Sequence, residues 1–208
     1  MGLDFKEHEY FHAYRPRWPL EFAAIAAELA SDLAFNNVSF ISIEHVGSTS
    51  VPGLAAKPII DILLVIAADE FHEIKRLQIM ETLGWARRPG QGGYSNDTGE
   101  GGVKGRWSLK LNGVEPFKSL HVVPERGIPH RSCLALRQTL RKEEELRREY
   151  ETVKIEVAAK REQEDVAQYS IRKSGIIRKI LRKAGWSDEE VDEKVAFVQP
   201  REPKYLEL

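Results

Sequence analysis

The chain has 208 residues, is 42% hydrophobic and carries a net charge of −1, which is enough apolar material for one good core, alone or with a tightly joined annex. Its single cysteine, Cys133, excludes an internal disulfide and fits a reducing compartment. No apolar run reaches the roughly 18 residues of a membrane span and the opening segment lacks the basic-then-apolar form of a signal peptide, so a soluble, cytoplasmic protein without membrane partners is expected. The average charge conceals an asymmetry: residues 130–184 hold fifteen Lys/Arg against nine Asp/Glu, an excess of six, so the rest of the chain is acidic.

The first dozen residues, MGLDFKEHEYFH, have no clean period and read as a mobile arm; His8 and His12 lack a third ligand and read as surface histidines. Next, AYRPRWPLEFAAIAAELASDL places Phe22, Ile25, Ala26, Leu29 and Leu33 at helical spacing behind Pro19, which suits a first helical turn. Asn36 and Asn37 end that helix, and a strand is expected over Val38 to Val46.

The stretch IEHVGSTSVPGLAAKPIIDILLVI, residues 43–66, organises the chain. A strand ending in His45 and Val46 leads into the small-residue turn Gly47-Ser48-Thr49-Ser50, and after Pro52-Gly53 a second strand runs from Ile59 to Ile66. That strand is apolar everywhere except Asp61, so it belongs in the middle of a sheet, buried on both faces. An ionised carboxylate there costs several kcal/mol unless it is paired, hydrogen-bonded, metal-bound or opened to a cleft. Asp61 therefore has a partner or lines a site.

Asp69 or Glu70 then opens a helix whose stripe is Phe71, Ile74, Leu77 and Leu83, with Gly84 as its stop; the acidic start reads as solvated. Seven glycines between Gly90 and Gly105 mark a loop that could close as a lid, but they lack the strand-to-helix setting of a dinucleotide-binding fingerprint. The period then changes to two. Trp107, Leu109 and Leu111 alternate with Arg106, Ser108 and Lys110, Asn112-Gly113 turns the chain, and Phe117 to Val123 returns with His121 on the face of Ser119 and Phe117. Arg106 and Lys110 point toward a cavity or toward water.

From Pro129 the pattern is helical, with Leu146, Tyr150, Val153 and Val157 as one stripe and Val166, Tyr169, Ile176 and Ile180 as another. Lys173 falls inside the second stripe, so it either snorkels out or turns its ammonium into a site. Gly185 stops that helix, Ser187 with Glu190 forms a capping box for a short last helix, and VQPREPKYLEL is irregular. The division expected is a core over 1–128 and a helical extension over 129–208 packed on it.

The string HVGSTSVPGLAAKPIIDI, read with AYRPRWPLEF, GRWSLKL, ALRQTL, YETVK and YSIRKSGIIRKIL, resembles the GrpB family from about Ala13 to Ala184. Members look like the nucleotidyltransferase fold, which implies an α+β protein: a mixed sheet flanked by helices, with a C-terminal helical extension. In that superfamily a Gly-Ser turn lies beneath the nucleotide phosphates and an Asp-hydrophobic-Asp pair holds divalent metal. Gly47-Ser48 matches the turn and Asp61 the first acid, but Leu63 stands where the second would be, so no metal ligands are assigned and no tight Mg²⁺ site is expected at Asp61.

Some fungal relatives of the family act as arginine-containing cyclodipeptide synthases, and the resemblance implies such tRNA-dependent acyl transfer, without a cofactor, from arginyl-tRNA and a second aminoacyl-tRNA. The implied assignments are Ser48, Asp61, His121 and His45 as catalytic residues, with His121 or His45 as base. Asp61, with Glu44 or Glu70, would hold the guanidinium, and the turn of Gly47 and Thr49 would offer amides to the oxyanion. Lys57, Arg106, Lys110 and Lys173 would meet the rest of the substrate, and the basic helices would attract tRNA. The alternatives are a nucleotidyltransferase using Mg²⁺, with Lys57, Arg106 and Lys173 on the phosphates, and a binding protein without catalysis.

Overall fold

The computed structural model describes residues 11–71, 83–87, 107–111, 117–159 and 166–196. Five strands among them form one mixed sheet in the order β1-β2-β5-β4-β3: β1 (Ser42–Val46), β2 (Ile59–Ile66), β3 (Trp85–Arg87), β4 (Trp107–Leu111) and β5 (Phe117–Pro124). Only β2 and β5 run parallel; the other neighbours are antiparallel.

The register assigns the two faces. Ile60, Ile62, Leu64 and Ile66 of β2 lie with Leu109, Leu120 and Val122 against α1 (Trp18–Phe35), whose Trp18, Ile25, Leu29 and Leu33 are the buried stripe expected from the helical spacing. Phe71 and Leu83 pack on the same core. The opposite face carries Val46, Leu63, Val65 and Val123 under Cys133 and Leu134 of α2 (Ile128–Lys142). Asp61, Ser119 and His121 belong to this second face, because Asp61 is the register partner of Ser119 and Leu63 of His121.

The extension continues as α3 (Glu144–Ala159), α4 (Val166–Lys183) and α5 (Asp188–Ala196). Its apolar cluster of Leu140, Leu146, Ile176 and Ile180, with Tyr150 and Val153, closes over Val51 and Leu54. Those two residues follow the Gly-Ser turn, so the extension docks on the segment between β1 and β2. Gly185 takes φ +85 at the end of α4. Ser187 and Glu190 exchange the two hydrogen bonds of a capping box at α5, at 3.1 and 3.3 Å.

Two local expectations change. The first strand begins at Ser42 rather than Val38, because Asn37 adopts φ +54 and the Val38 amide turns back to the Leu33 carbonyl at 2.9 Å. Phe11 and His12 are not part of a mobile arm: Phe11 is buried, and His12 and Ala56 exchange both backbone hydrogen bonds at 2.9 Å. His8, most of the helix expected after Glu70, the glycine-rich loop, the Asn112-Gly113 turn and the last dozen residues lie outside the described residues.

Gly47 combines φ +71 with ψ −172, a region that only glycine occupies comfortably, and a Cβ built there would sit 2.2 Å from Asp61 Oδ2. Gly53 has φ +77, yet its nearest neighbour would be 4.0 Å away. Gly47→Ala is therefore expected to cost about 3 kcal/mol or more and Gly53→Ala about 1 kcal/mol in urea unfolding. Equal losses for the two variants would refute the close approach of the turn to Asp61.

Candidate functional site

The turn after β1 is a single 3-10 turn, Ser48–Ser50, whose backbone has little hydrogen bonding of its own. Side chains of the extension complete it. Arg141 of α2 donates Nε and Nη2 to the Ser50 carbonyl at 3.0 and 2.7 Å, and Arg137 donates Nη1 to the His45 carbonyl at 2.7 Å. Glu151 of α3 accepts the Ala55 amide at 2.6 Å. Lys154, one turn further along α3, places Nζ 2.8 Å from Ser48 Oγ and 2.9 Å from the Ala55 carbonyl.

Lys154 is 4% exposed. Burial pushes its pKa down to about 7; Lys173 and Lys57 add to the fall, while Glu151 and Asp61 oppose it. Its ammonium lies 5.3 Å from the ring centroids of both Phe11 and Tyr150, a placement worth about 0.5–2 kcal/mol per ring and too small to offset the desolvation of a lysine. The amine thus spends an appreciable part of its time neutral near pH 7, in contact with a hydroxyl.

Ser48, Thr49, Lys57, Asp61, Lys154 and Lys173, with Phe11 and Ile59, line one pocket of about 130 Å³. Asp61 Oδ1 stands 3.6 Å from His121 Nε2, with the Asp61 side chain 30% exposed and that of His121 13%. The imidazole is held from both sides, Nδ1 by Ser108 Oγ at 3.1 Å and Nε2 by Ser119 Oγ at 3.3 Å. Asp61 therefore both has a partner and lines a site, while His121 stands behind Asp61 and is not among the lining residues. Thr49 lines the wall and donates its hydroxyl to the Ile59 carbonyl at 3.0 Å, tying the turn to β2.

Other residues singled out from the sequence fall elsewhere. His45 pairs in register with Ile62, which turns its ring to the α1 face, opposite Asp61; there it stacks on Phe22 at 4.7 Å and bonds Thr49 through Nε2 at 3.0 Å. Its ring is not among the residues lining the pocket, which it meets through the hydroxyl of Thr49 in the pocket wall. Glu44 pairs with Arg137 at 3.0 Å. Glu70 follows the far end of β2 and accepts from Ser39 at 3.2 Å. Neither carboxylate is among the residues lining the pocket beside Asp61. Arg106 lies outside the described residues; of Lys110 only the backbone is described, paired with Ser119.

Lys154, which the sequence reading passed over, carried a legible signal. It stands four residues after Tyr150 and eight after Leu146, inside an apolar stripe, the same anomaly that marks Lys173. The basic excess of the extension also divides. Arg137, Arg141, Lys154 and Lys173 turn toward the turn and pocket, whereas Arg131, Arg178 and Arg182 pair with Glu190, Asp192 and Asp188 around α5, and Lys179 and Lys183 with Glu149 and Glu143.

A GrpB protein family model matches residues 11–183. The chain belongs to the GrpB family. It is 35% identical over 171 residues to a UPF0157 protein of Halalkalibacterium halodurans, covering 82% of this chain and 80% of that one. A UPF0157 protein of Streptomyces coelicolor is 34% identical over 147 residues, 70% of this chain and 69% of its own. The crystal structure of the conserved protein GrpB from Enterococcus faecalis superposes with a TM-score of 0.63 at 28% identity, covering 84% of this chain and 96% of that one. The matched span contains β1 through α4, so the turn, Asp61 and both pocket lysines of the extension lie within the family's common region.

Among the described residues the donor set of a two-metal centre is not found at this pocket. The pocket presents one carboxylate and three lysines, whereas Mg²⁺ asks for several oxygen ligands, and no group of three His, Cys, Asp or Glu side chains converges among the described residues. Among those residues no helix is long and apolar enough to cross a membrane.

The burial of His45 supplies a test of its placement. Burial lowers its pKa to about 4, Arg141 and Arg137 adding to the effect and Asp61 opposing it. Between pH 6.5 and 4 the unfolded chain therefore binds a proton that the folded chain refuses. The stability contributed by neutral His45 is complete above pH 6.5 and is lost as pH falls toward 4. Urea midpoints should show His45→Gln losing on the order of 2 kcal/mol less than wild type over that interval. An identical acid profile would contradict the burial of His45.

Proposed function

We propose that this GrpB-family chain is an acyl-transfer enzyme with Ser48 as nucleophile and Lys154 as its base. The observation that carries the reading is the 2.8 Å contact between Lys154 Nζ and Ser48 Oγ, made by an amine whose pKa lies at about 7. The Ala55 carbonyl accepts one N–H of the neutral amine, which leaves the nitrogen lone pair for the hydroxyl proton. Lys154 takes that proton as Ser48 attacks the acyl carbon, and the ammonium then returns it to the departing oxygen.

The donor proposed is an aminoacyl-tRNA, with arginyl-tRNA first. Ser48 becomes an arginyl ester and the tRNA 3′-terminal hydroxyl leaves. The α-amine of that ester attacks a second aminoacyl-tRNA, releasing its hydroxyl and giving a dipeptidyl ester; the new terminal amine closes on the ester carbonyl, freeing the cyclodipeptide and Ser48. Asp61, partly open to the pocket and backed by His121, is the carboxylate suited to a guanidinium. The tRNA donor rests on this fit and on the family resemblance, because many basic side chains of the extension already face carboxylates.

Nucleotidyl transfer is the second reading, favoured by the three lysines of the pocket and disfavoured by its single carboxylate. The test is incubation with radiolabelled arginyl-tRNA, acid quenching and mass mapping of the protein, with the medium of expressing cells assayed for arginine-containing diketopiperazines. Label on Ser48 is expected, absent in Ser48→Ala and formed about 10²–10⁴-fold more slowly in Lys154→Met, with the wild-type rate climbing through pH 7. An unlabelled wild-type protein that instead transfers nucleotide from a triphosphate would replace this reading with the second.

A further inference from the structure

Among the described lysines of the pocket wall only Lys154 is buried, at 4% exposure, while Lys57 and Lys173 are half-buried. Its two contacts differ in what they ask of Nζ. The Ala55 carbonyl at 2.9 Å can only accept, so it commits one N–H; the Ser48 hydroxyl at 2.8 Å can accept or donate, so it suits a cation or an anion alike. The same pair therefore serves an ammonium, an amine, or a nitrogen that keeps one N–H and carries an anionic group. There is room beside it: the cavity, about 130 Å³, is several times the roughly 10–15 Å³ that one water requires. Burial does most to make Lys154 easy to deprotonate, and the Lys173 charge comes next, ahead of Glu151 and Asp61, which favour the ammonium, and Lys57, which disfavours it. The charges of Lys173 and Lys57, which repel a cation at Nζ, attract an anion placed there.

We infer that Lys154 is a carbamylation site, at which carbon dioxide adds reversibly to Nζ beside Ser48. A desolvated lysine is a nucleophile, and the electrophile that meets one so deeply set must be small and cross apolar surroundings without charge, which selects carbon dioxide. The nitrogen lone pair forms the C–N bond, one C=O electron pair moves onto oxygen, and one amine proton leaves to water. Amine and carbon dioxide thus give a carbamate anion and a proton, with nothing oxidised or reduced. The remaining N–H continues to serve the Ala55 carbonyl, and the Ser48 hydroxyl turns to donate to the new carboxylate. The ring faces of Phe11 and Tyr150, each 5.3 Å from Nζ, favour the ammonium and oppose the exchange. The inference shares the neutral amine with the acyl-transfer reading and takes up the lone pair that reading gives to Ser48, so carbon dioxide acts here as a modifier of the base.

The test is carbon-13 magnetic resonance of the full chain, carrying nitrogen-15 lysine, in mildly alkaline buffer with carbon-13-enriched bicarbonate as the source of carbon dioxide. Wild type and Ser48→Ala should each show a carbamate resonance split by a lysine nitrogen. That splitting requires a C–N bond, so bicarbonate merely held in the pocket does not produce it, and the lysine label sets aside the terminal α-amine. Lys154→Arg, which keeps a cation and removes the nucleophile, should lose the resonance, with circular dichroism checking its fold. Trapping with a trialkyloxonium salt and mass mapping locates the adduct in the wild-type chain with no substitution at all, and is expected to find it on Lys154. No lysine-coupled carbamate in wild type, a resonance undiminished in folded Lys154→Arg, or a trapped adduct on other lysines alone overturns the site. Arginylation of Ser48 without the carbamate would sink the modification and spare acyl transfer; a carbamate on Lys154 without arginylation would do the reverse.

Discussion

The site depends on one buried amine. Lys154 reaches from α3 to a hydroxyl and a carbonyl on either side of the segment joining β1 to β2, and its desolvation is tolerated because both contacts and two ring faces receive it. The neighbouring bonds follow the same plan. Arg137, Arg141 and Glu151 serve the backbone at His45, Ser50 and Ala55, polar groups of a segment too short and tightly turned to satisfy itself. Core and extension are therefore both needed to make the pocket: the sheet supplies Asp61 and the turn, and the helices supply the side chains that fix the turn and the amines that line it.

A second constraint is the contact of Gly47 with Asp61. The strand places its one carboxylate where the returning backbone passes, and only a residue without Cβ fits there. This brings Ser48 and Asp61 to one pocket wall from strands that are register neighbours, Val46 being the partner of Asp61. His121 then arrives by strand pairing rather than by proximity in the chain. Parallel pairing of β2 with β5 puts Ser119 across from Asp61 and His121 two residues further along the same face.

Much of this was legible in the sequence, because burial patterns are local. Asp61 stood out as the single polar residue of an apolar strand, Lys173 as a cation in an apolar stripe, and Ser187 with Glu190 as a cap. The face that His45 occupies was not legible for a physical reason: it is set by pairing register with β2, and a shift of one residue exchanges the faces. The neutralisation of part of the basic excess was not legible for another reason. Residues 130–184 are basic, but the carboxylates that answer Arg131, Arg178 and Arg182 begin at Asp188, just beyond that span, and only tertiary packing joins them. Phe11 was hidden because its burial comes from a two-bond bridge between His12 and Ala56, a contact across more than forty residues that no periodicity announces.

The account turns on the protonation state of Lys154, so its most direct test is a nuclear magnetic resonance titration of the Lys154 Nζ, assigned by comparison with Lys154→Arg, in the wild-type protein. The account predicts a midpoint near pH 7, far below the ordinary lysine value of about 10.4, with a further shift when Ser48 is replaced by alanine. A midpoint at the ordinary lysine value would mean that the amine stays charged at neutral pH, and a charged Lys154 cannot be the base for Ser48.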